Sequence, residues 1–273
     1  MDAVRILGAG EAQGLAAALA RQQGIALSGS FGAVGAVLQE FLAGEACDIL
    51  VLTHAQVAQL IARNRVALDH CSDLGAARGG GTVYTVALKA GPVPGVARAF
   101  ALHLTDRASA AARAEAGFEG AAIRRASAAD TAAARELVFA VLAEYGFTPE
   151  PQGTDADLAD LEAGFLAGGG MFDVAVDPDG RLAACCGMKV LEDGRVELRK
   201  MYVRGDRRGQ GLGRRLLERA LAWARARGHP RVELETASRL EEAIALYRQA
   251  GFVPRPGKPD TCRCDLAFVL ELD

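Results

Sequence analysis

The stretch from Val196 to Gly228 reads VELRKMYVRGDRRGQGLGRRLLERALAWARARG and permits few local structures. Its first residues alternate apolar and charged side chains, the period of a half-buried strand, so a strand is expected over about Arg195 to Val203. Gly209, Gly211 and Gly213 then crowd together, and a basic amphipathic run from Leu212 to Arg227 has the period of a helix. Glycines at the mouth of a helix let backbone N–H groups approach a ligand without Cβ interference. The unpaired donors and dipole of the first turn favour an anion there. A pyrophosphate is the natural guest for the Arg-x-x-Gly-x-Gly run formed by Arg208, Gly211 and Gly213. Arg207, Arg208 and Arg214 could add charge-assisted hydrogen bonds, or stand as solvated arginines around a plain strand-to-helix turn. The spacing is neither the dinucleotide G-x-G-x-x-G nor a GxxxxGK[ST] phosphate loop.

Any such anion site has to be local. The 273-residue chain has a formal net charge of -3 and a pI near 5.9, so no basic field draws nucleic acid or anionic membrane to it. The N-terminal residues lack a basic segment followed by a long apolar one, and no apolar run is long enough to span a bilayer, so a cytoplasmic protein is expected. Cys47, Cys71, Cys185, Cys186, Cys262 and Cys264 form no CxxC pair and have no paired histidines, so no metal site is expected and the thiols read as reduced core residues.

Charge density divides the chain. Residues 1–119 carry 9 Lys and Arg and 10 Asp and Glu, against 22 and 24 in the rest. The shift falls near Gly120, giving expected domains of 1–119 and 120–273. The first part alternates apolar strands (VRILGA, IALSGSF, DILVL) with helices (EAQGLAAALARQQG, AVGAVLQEFLAG, HAQVAQLIARN), followed by a strand in GTVYTVALKAG and helices over Val96 to Thr105 and Ala108 to Ala116. This βαβαβα order predicts an α/β, three-layer domain with a mainly parallel sheet. The second part reads as strand (Ala122 to Arg125), helix (Ala129 to Tyr145), polar loop and helix (Asp157 to Ala167). Strands near Phe172 to Val176, Arg181 to Leu191 and Arg195 to Val203 come next, joined at the turn sequences DPDG and EDG. After helix Leu212 to Arg227 come strand Arg231 to Thr236, helix Leu240 to Ala250 and a final strand pair.

VELRKMYV, RRGQGLGRRLLERAL, VELET and AIALYRQAGF, in this order and spacing, resemble the GNAT acetyltransferase superfamily over about Ala121 to Asp273. The resemblance implies a mixed, splayed sheet flanked by helices, and acetyl-CoA as co-substrate. It implies that Met201, Tyr202 and Val203 offer backbone groups to the pantetheine arm. The run Arg208, Gly209, Gln210, Gly211, Leu212, Gly213 and Arg214 would cradle the pyrophosphate.

An amine of pKa ~10.4 is protonated at pH 7, and freeing the nucleophile costs about 4.6 kcal/mol. Glu197, 11 residues before Arg208, is similar in position to the family's general-base glutamate and could act directly or through a water. It could otherwise be a strand residue paired with Arg199 or Lys200. Tyr247, in LYRQAGF, matches the family's tyrosine acid for the departing thiolate. It also lies on a helical core stripe with Leu240, Ala243 and Ile244, which allows a purely packed role. Many relatives carry asparagine where this chain has Leu240, so a cofactor contact from that side chain is expected to be missing. The family's acceptor pocket would fall on YGFTPEPQGTDADLADLE, where Asp155, Asp157 and Asp160 could attract a cationic amine, or Thr154 or Asp155 could cap the second helix with the carboxylates favouring its first turn.

VRILGAGEAQG, SFGAVGAVLQEFLAGEACDILVLTHAQVAQL and ARAFALHLTDRASAAARAEAGF resemble, over about Val4 to Phe118, one lobe of type 2 periplasmic binding proteins of the molybdate-binding kind. The second lobe is replaced by Pro92, Val93 and Pro94. Glu11 would repel an anion, and Val34 stands near an expected serine, leaving Ser30 as the anion-friendly residue. The expectation is an acetyltransferase of a small-molecule or peptide amine, acting by direct attack in a ternary complex, with a regulatory or dimerisation role for the first domain and a possible homodimer. The alternatives are a ligand sensor controlling the acetyltransferase and a noncatalytic acetyl-CoA-binding protein.

Overall fold

A computed structural model describes residues 3–79 and 81–272. The chain forms two compact units, Met1–Arg125 with Val176–Arg181, and Ala126–Ala175 with Leu182–Asp273.

In the first unit β1 (Ala3–Ala9), α1 (Gln13–Gln23), β2 (Ala26–Gly32), α2 (Val34–Leu42), β3 (Ile49–Thr53) and α3 (His54–Ala62) follow the expected alternation. Successive residues of a strand face opposite ways, and the core shows it. Ile6, Ile49 and Val51 pack with Leu15 and Leu19 of α1, whereas Leu7, Leu50 and Leu52 pack with Val37, Phe41, Val57 and Leu60 of α2 and α3. The chain continues through β4 (Val66–Ala77), β5 (Val83–Lys89), α4 (Gly95–His103), α5 (Ala110–Glu115), β6 (Phe118–Glu119) and β7 (Ala122–Arg125). The sheet order is β2-β1-β3-β5-β4-β6.

The expectation of a mainly parallel sheet is corrected here. β2, β1 and β3 run parallel, but β5 is antiparallel to β3, and β4 is antiparallel to both β5 and β6. The reason is β4, which the apolar pattern does not reveal. Its Ser72 and Asp73 are buried polar residues, and Asp73 is held by the Thr85 hydroxyl at 2.7 Å and His54 at 3.1 Å. A buried polar group is stable when its hydrogen bonds are made inside the protein.

The seven-stranded sheet has the order β12-β13-β11-β10-β9-β8-β7. It comprises, besides β7, β8 (Met171–Val176), β9 (Leu182–Val190), β10 (Val196–Val203), β11 (Arg231–Thr236), β12 (Val253–Pro254) and β13 (Leu266–Glu271). The helices are α6 (Thr131–Glu144), α7 (Leu212–Ala226) and α8 (Glu241–Gln249). β8 is buried throughout, and β9 is buried from Leu182 to Met188, with α6 and α7 packed against β9. β10 runs parallel to β11 and antiparallel to β9, and β11 is antiparallel to β13, so the sheet is mixed.

The helix expected over Asp157 to Ala167 does not form as one α-helix but as two irregular helical pieces. A short 3-10 turn, Ala156–Leu158, is followed by one wide turn, Glu162–Leu166, closed by Ala167 N–H to the Glu162 carbonyl at 2.8 Å. Asp160 Oδ1 accepts the Glu162 and Ala163 N–H groups and restarts the chain there. Gly164 lies so close to the Asp157 carbonyl that a Cβ would sit 2.3 Å from its oxygen. The cysteine expectation is also partly corrected: Cys47, Cys71, Cys185 and Cys186 are buried, but Cys262 is exposed and Cys264 half-buried.

Gly187 of β9 underlies the Phe165–Phe172 edge-to-face pair, whose rings are 4.9 Å apart. A Cβ there would stand 2.5 Å from Phe165 and 3.0 Å from Phe172. Gly187→Ala is therefore expected to cost about 2 kcal/mol through overpacking, read as a lower urea midpoint with an unchanged slope.

Candidate active site

β10 and β11 pair at only two positions, Glu197 with Glu233 and Leu198 with Leu234. Beyond them the two strands part, β11 remaining paired with β13 along its whole length to Thr236 and β10 with β9 through Val203. The strands part because β10 carries an extra residue between Arg199 and Tyr202, where the register with β9 shifts. Lys200 at the bulge has φ 52°, a left-handed conformation costly for a residue with a Cβ. The Cys185 thiol donates to its carbonyl at 3.2 Å. In the gap lie Met201, Tyr202, Thr236, Ala237, Leu240, Ala243 and Tyr247.

On one side the gap opens into a groove of about 410 Å³ that shares Met201, Tyr202, Leu240 and Ala243 with it. Val203, Arg208, Gly209, Gly211, Leu212, Gly213 and Arg214 complete this groove together with Val141, Tyr145, Glu242 and Leu246, which the sequence reading did not single out. Gly211 caps α7 with φ 76°, nothing lies within 4 Å of where its Cβ would be, and the first turn holds no acidic residue. The N–H groups of that turn therefore face open space with a favourable dipole for an anion. Of the expected cradle only Gln210 is not in the groove wall; its amide reaches the Asp206 carbonyl at 3.4 Å. The Arg208 side chain is engaged elsewhere, ion-paired to Glu144, bonded to the Val203 carbonyl at 3.1 Å and stacked 5.1 Å from the Tyr145 ring. Arg214 donates to exposed Gln249 at 3.2 Å.

On the other side the gap shares Glu197, Arg199, Thr154, Glu235 and Thr261 with a cavity of about 530 Å³. Glu197 thus stands where the gap meets this cavity. Burial raises its pKa from the ordinary 4.5, outweighing the Arg199 guanidinium 3.6 Å away, and the nearby Glu235 and Asp157 charges push the same way. Tyr247, buried on α8, lines the gap, and burial likewise pushes its phenol up. The phenol keeps its proton at neutral pH. Leu240, which offers no polar contact, lines both gap and groove.

The acidic loop is put to a use the sequence did not suggest. Asp155 is fully buried; Oδ1 accepts Lys200 Nζ at 2.6 Å and Arg263 at 2.8 Å, and Oδ2 accepts Arg263 at 3.0 Å and the Glu150 N–H at 2.9 Å. These cations drive its pKa far below the usual carboxylate range despite burial. Asp157 meets Arg199 at 3.1 Å and Lys200 at 3.4 Å. Neither carboxylate is open to a cationic amine, and neither Thr154, whose hydroxyl donates to Glu150 at 2.9 Å, nor Asp155 caps the following turn with its side chain. The signal was present as a lysine and an arginine in a strand facing an Asp-x-Asp run, but nothing in a linear sequence pairs residues 155 and 263.

The profile described as the acetyltransferase (GNAT) family matches residues 136–252. The uncharacterized N-acetyltransferase YjgM of Escherichia coli is 36% identical over 135 residues, covering 48% of this chain and 80% of that protein. A mycothiol acetyltransferase of Beutenbergia cavernae is 42% identical over 78 residues, 29% of this chain and 26% of its own length. A GNAT-family acetyltransferase structure from Staphylococcus aureus superposes with a TM-score of 0.52 at 19% identity, over 55% of this chain and 98% of that one. The parted sheet with its glycine-capped helix is the fold of an acyl-transfer enzyme, and the chain belongs to the GNAT acetyltransferase family. It is an N-acetyltransferase with acetyl-CoA as co-substrate. Among the described residues no helix is long and apolar enough to cross a membrane.

The raised pKa of Glu197 has a consequence for stability. A carboxylate whose folded pKa is raised contributes fully below its unfolded pKa and loses that contribution as pH rises through the folded value. Above its folded pKa the ionised, desolvated group therefore costs stability that a glutamine does not. Glu197→Gln is expected to melt above the wild type at the high end of the pH range, with the gap narrowing as the pH falls and the wild-type side chain takes up its proton. Thermal melts across pH 4 to 8 measure it.

Proposed function

We propose that this chain acetylates a primary amine of a small molecule or peptide by direct attack within a ternary complex, and that residues 120–273 form the transferase domain. The observation that carries this reading is the continuous passage from the α7 N-terminus, through the gap between β10 and β11, to the cavity at Glu197. Acetyl-CoA supplies an activated acyl carbon and a thiolate leaving group. The open first turn of α7 and the glycines Gly209, Gly211 and Gly213 suit its diphosphate, with Arg214 at the rim. The edge of β10 from Met201 to Val203, unpaired toward β11, offers backbone donors and acceptors to the amides of the pantetheine arm.

Glu197 then accepts the proton that the attacking amine must lose, directly or through one water. Its raised pKa brings it nearer the range in which a base works at neutral pH. Tyr247, which keeps its proton, returns one to the departing sulfur. The N–C bond forms, the C–S bond breaks, and the proton balance closes with free CoA thiol.

The first domain, read as a single lobe resembling periplasmic binding proteins, has a regulatory or dimerisation role in this proposal. The second reading, a sensor lobe controlling the transferase, is favoured by the three parallel strands β2, β1 and β3, since α/β sheets bind ligands outside the C-terminal ends of such strands.

Two measurements test the proposal. With acetyl-CoA and a panel of ethanolamine, putrescine, tyramine and L-lysine, Glu197→Gln is expected to lower kcat about 100-fold at pH 7. Tyr247→Phe is expected to lower it about 10-fold, with little change in the coenzyme KM. Gly211→Glu places a carboxylate at the α7 N-terminus in a left-handed conformation, and calorimetry should show acetyl-CoA affinity falling at least about 10-fold. Unchanged affinity would remove the cradle from this turn.

A further inference from the structure

We infer that Asp155 is a positioning residue: one buried carboxylate clamps both loops that wall the acceptor cavity and fastens them to the β10 bulge. The inference rests on the acetyl-transfer reading for its functional meaning, but not for its geometry. Loop 146–155 supplies Glu150, Gly153 and Thr154 to the cavity wall, and loop 255–265 supplies Asp260, Thr261 and Cys262. Asp155 bonds the first through the Glu150 N–H, the second through both terminal nitrogens of Arg263, and the bulge through Lys200 Nζ. Lys200 Nζ also donates to the Thr154 carbonyl at 2.8 Å, tying the bulge to the first loop a second time.

This arrangement is more than a buried ion pair. Lys200 is the residue in the left-handed conformation that parts β10 from β11, and its side chain is 4% exposed. The same contact that holds the bulge, and with it the acyl-transfer gap, fixes the height of the cavity walls above Glu197. Loop 255–265 is also anchored near its middle by Glu235, whose carboxylate accepts the Asp260 and Thr261 N–H groups at 2.6 and 2.9 Å, and at its end by Asp265, whose carboxylate accepts the Ser238 N–H and hydroxyl at 2.7 Å each. Between those two anchors, residues 262–264 are held against the first loop chiefly by the Arg263–Asp155 bonds, with Arg263 adding one to the Thr148 carbonyl at 3.4 Å. Loss of the clamp loosens the segment bearing Cys264, which lines the gap and whose thiol burial raises to about 11.

The cysteines report the clamp without any acceptor. The full chain is treated with iodoacetamide and the labelled peptides are followed by mass, for the wild type, Asp155→Asn, Arg263→Gln and Arg263→Lys. Cys264 is expected to react about tenfold faster in the first two variants and close to the wild-type rate in Arg263→Lys. Exposed Cys262 changes by less than about twofold, and buried Cys185 and Cys186 stay unlabelled, which shows the core intact. Arg263 lies on a surface loop, so Arg263→Gln decides the matter if Asp155→Asn does not fold.

The second arm uses the fastest amine of the panel above. The acceptor KM is expected to rise about tenfold in Arg263→Gln, the coenzyme KM to stay within about twofold, and Arg263→Lys to recover most of the loss. An unchanged Cys264 rate in both Asp155→Asn and Arg263→Gln overturns the clamp. So does a parallel rise of both KM values, which would mean general loosening. If no amine is turned over by the wild type, the acetyl-transfer reading fails, and the labelling rates still decide whether Asp155 clamps the loops.

Discussion

The site depends on a sheet that stops being a sheet. Two adjacent parallel strands normally hydrogen-bond along their length, because each unpaired buried N–H or C=O costs free energy. Here β10 and β11 abandon each other after two residue pairs, which leaves their facing edges open while β11 stays paired with β13 on its far edge. The price is a bulge with a non-glycine residue at positive φ, and such strain persists only where the surroundings over-determine it. Lys200 is over-determined by its ammonium among Asp155, Asp157 and the Thr154 carbonyl, and by its own carbonyl beneath the Cys185 thiol. Backbone strain, a buried ion cluster and an open gap are one feature.

Electrostatics assign different work to the two ends of the passage. At the groove, attraction for an anion comes from oriented N–H groups more than from free arginines, since Arg208 is held by Glu144, Val203 and Tyr145. Backbone dipoles are fixed before the ligand arrives and lose no side-chain entropy on binding. At Glu197 the protein tolerates a partly desolvated carboxylate whose nearest cation, Arg199, is shared with Asp157. A surface built only for stability would pair that group fully, and a carboxylate left raised in pKa suits the proton-accepting role proposed for it above.

How much of this could be read from the sequence follows from the range of the interactions. The strand, glycine turn and helix of residues 196–228 were legible because periodicity and glycine conformation are local. The hairpins at DPDG and EDG were legible for the same reason. β4 was not, because its buried Ser72 and Asp73 imitate a polar loop until Thr85 and His54 are brought alongside. The wide turn at Glu162–Leu166 was mistaken for a helix because its apolar spacing is helical, while the close approach of Gly164 to Asp157 is tertiary. Asp155 draws a local reading, as an amine attractor or helix cap, because its partners Lys200 and Arg263 lie 45 and 108 residues away in sequence.

The first unit obeys the same logic from the opposite side. Its βαβ half places loops at the C-terminal ends of parallel strands, the ordinary position for a ligand in an open α/β sheet. The polar groups there are already committed to one another. Ser30 donates its hydroxyl to Glu40, so the one anion-friendly side chain comes with a carboxylate attached. Glu11 accepts from Tyr84, whose phenol is pushed up to about 12 by burial and by that carboxylate. An oxyanion brought to this edge would meet two acidic side chains and no free hydroxyl from either group. A cationic or neutral ligand meets no such penalty, and neither does a protein surface, so the charges at this edge disfavour an oxyanion in particular.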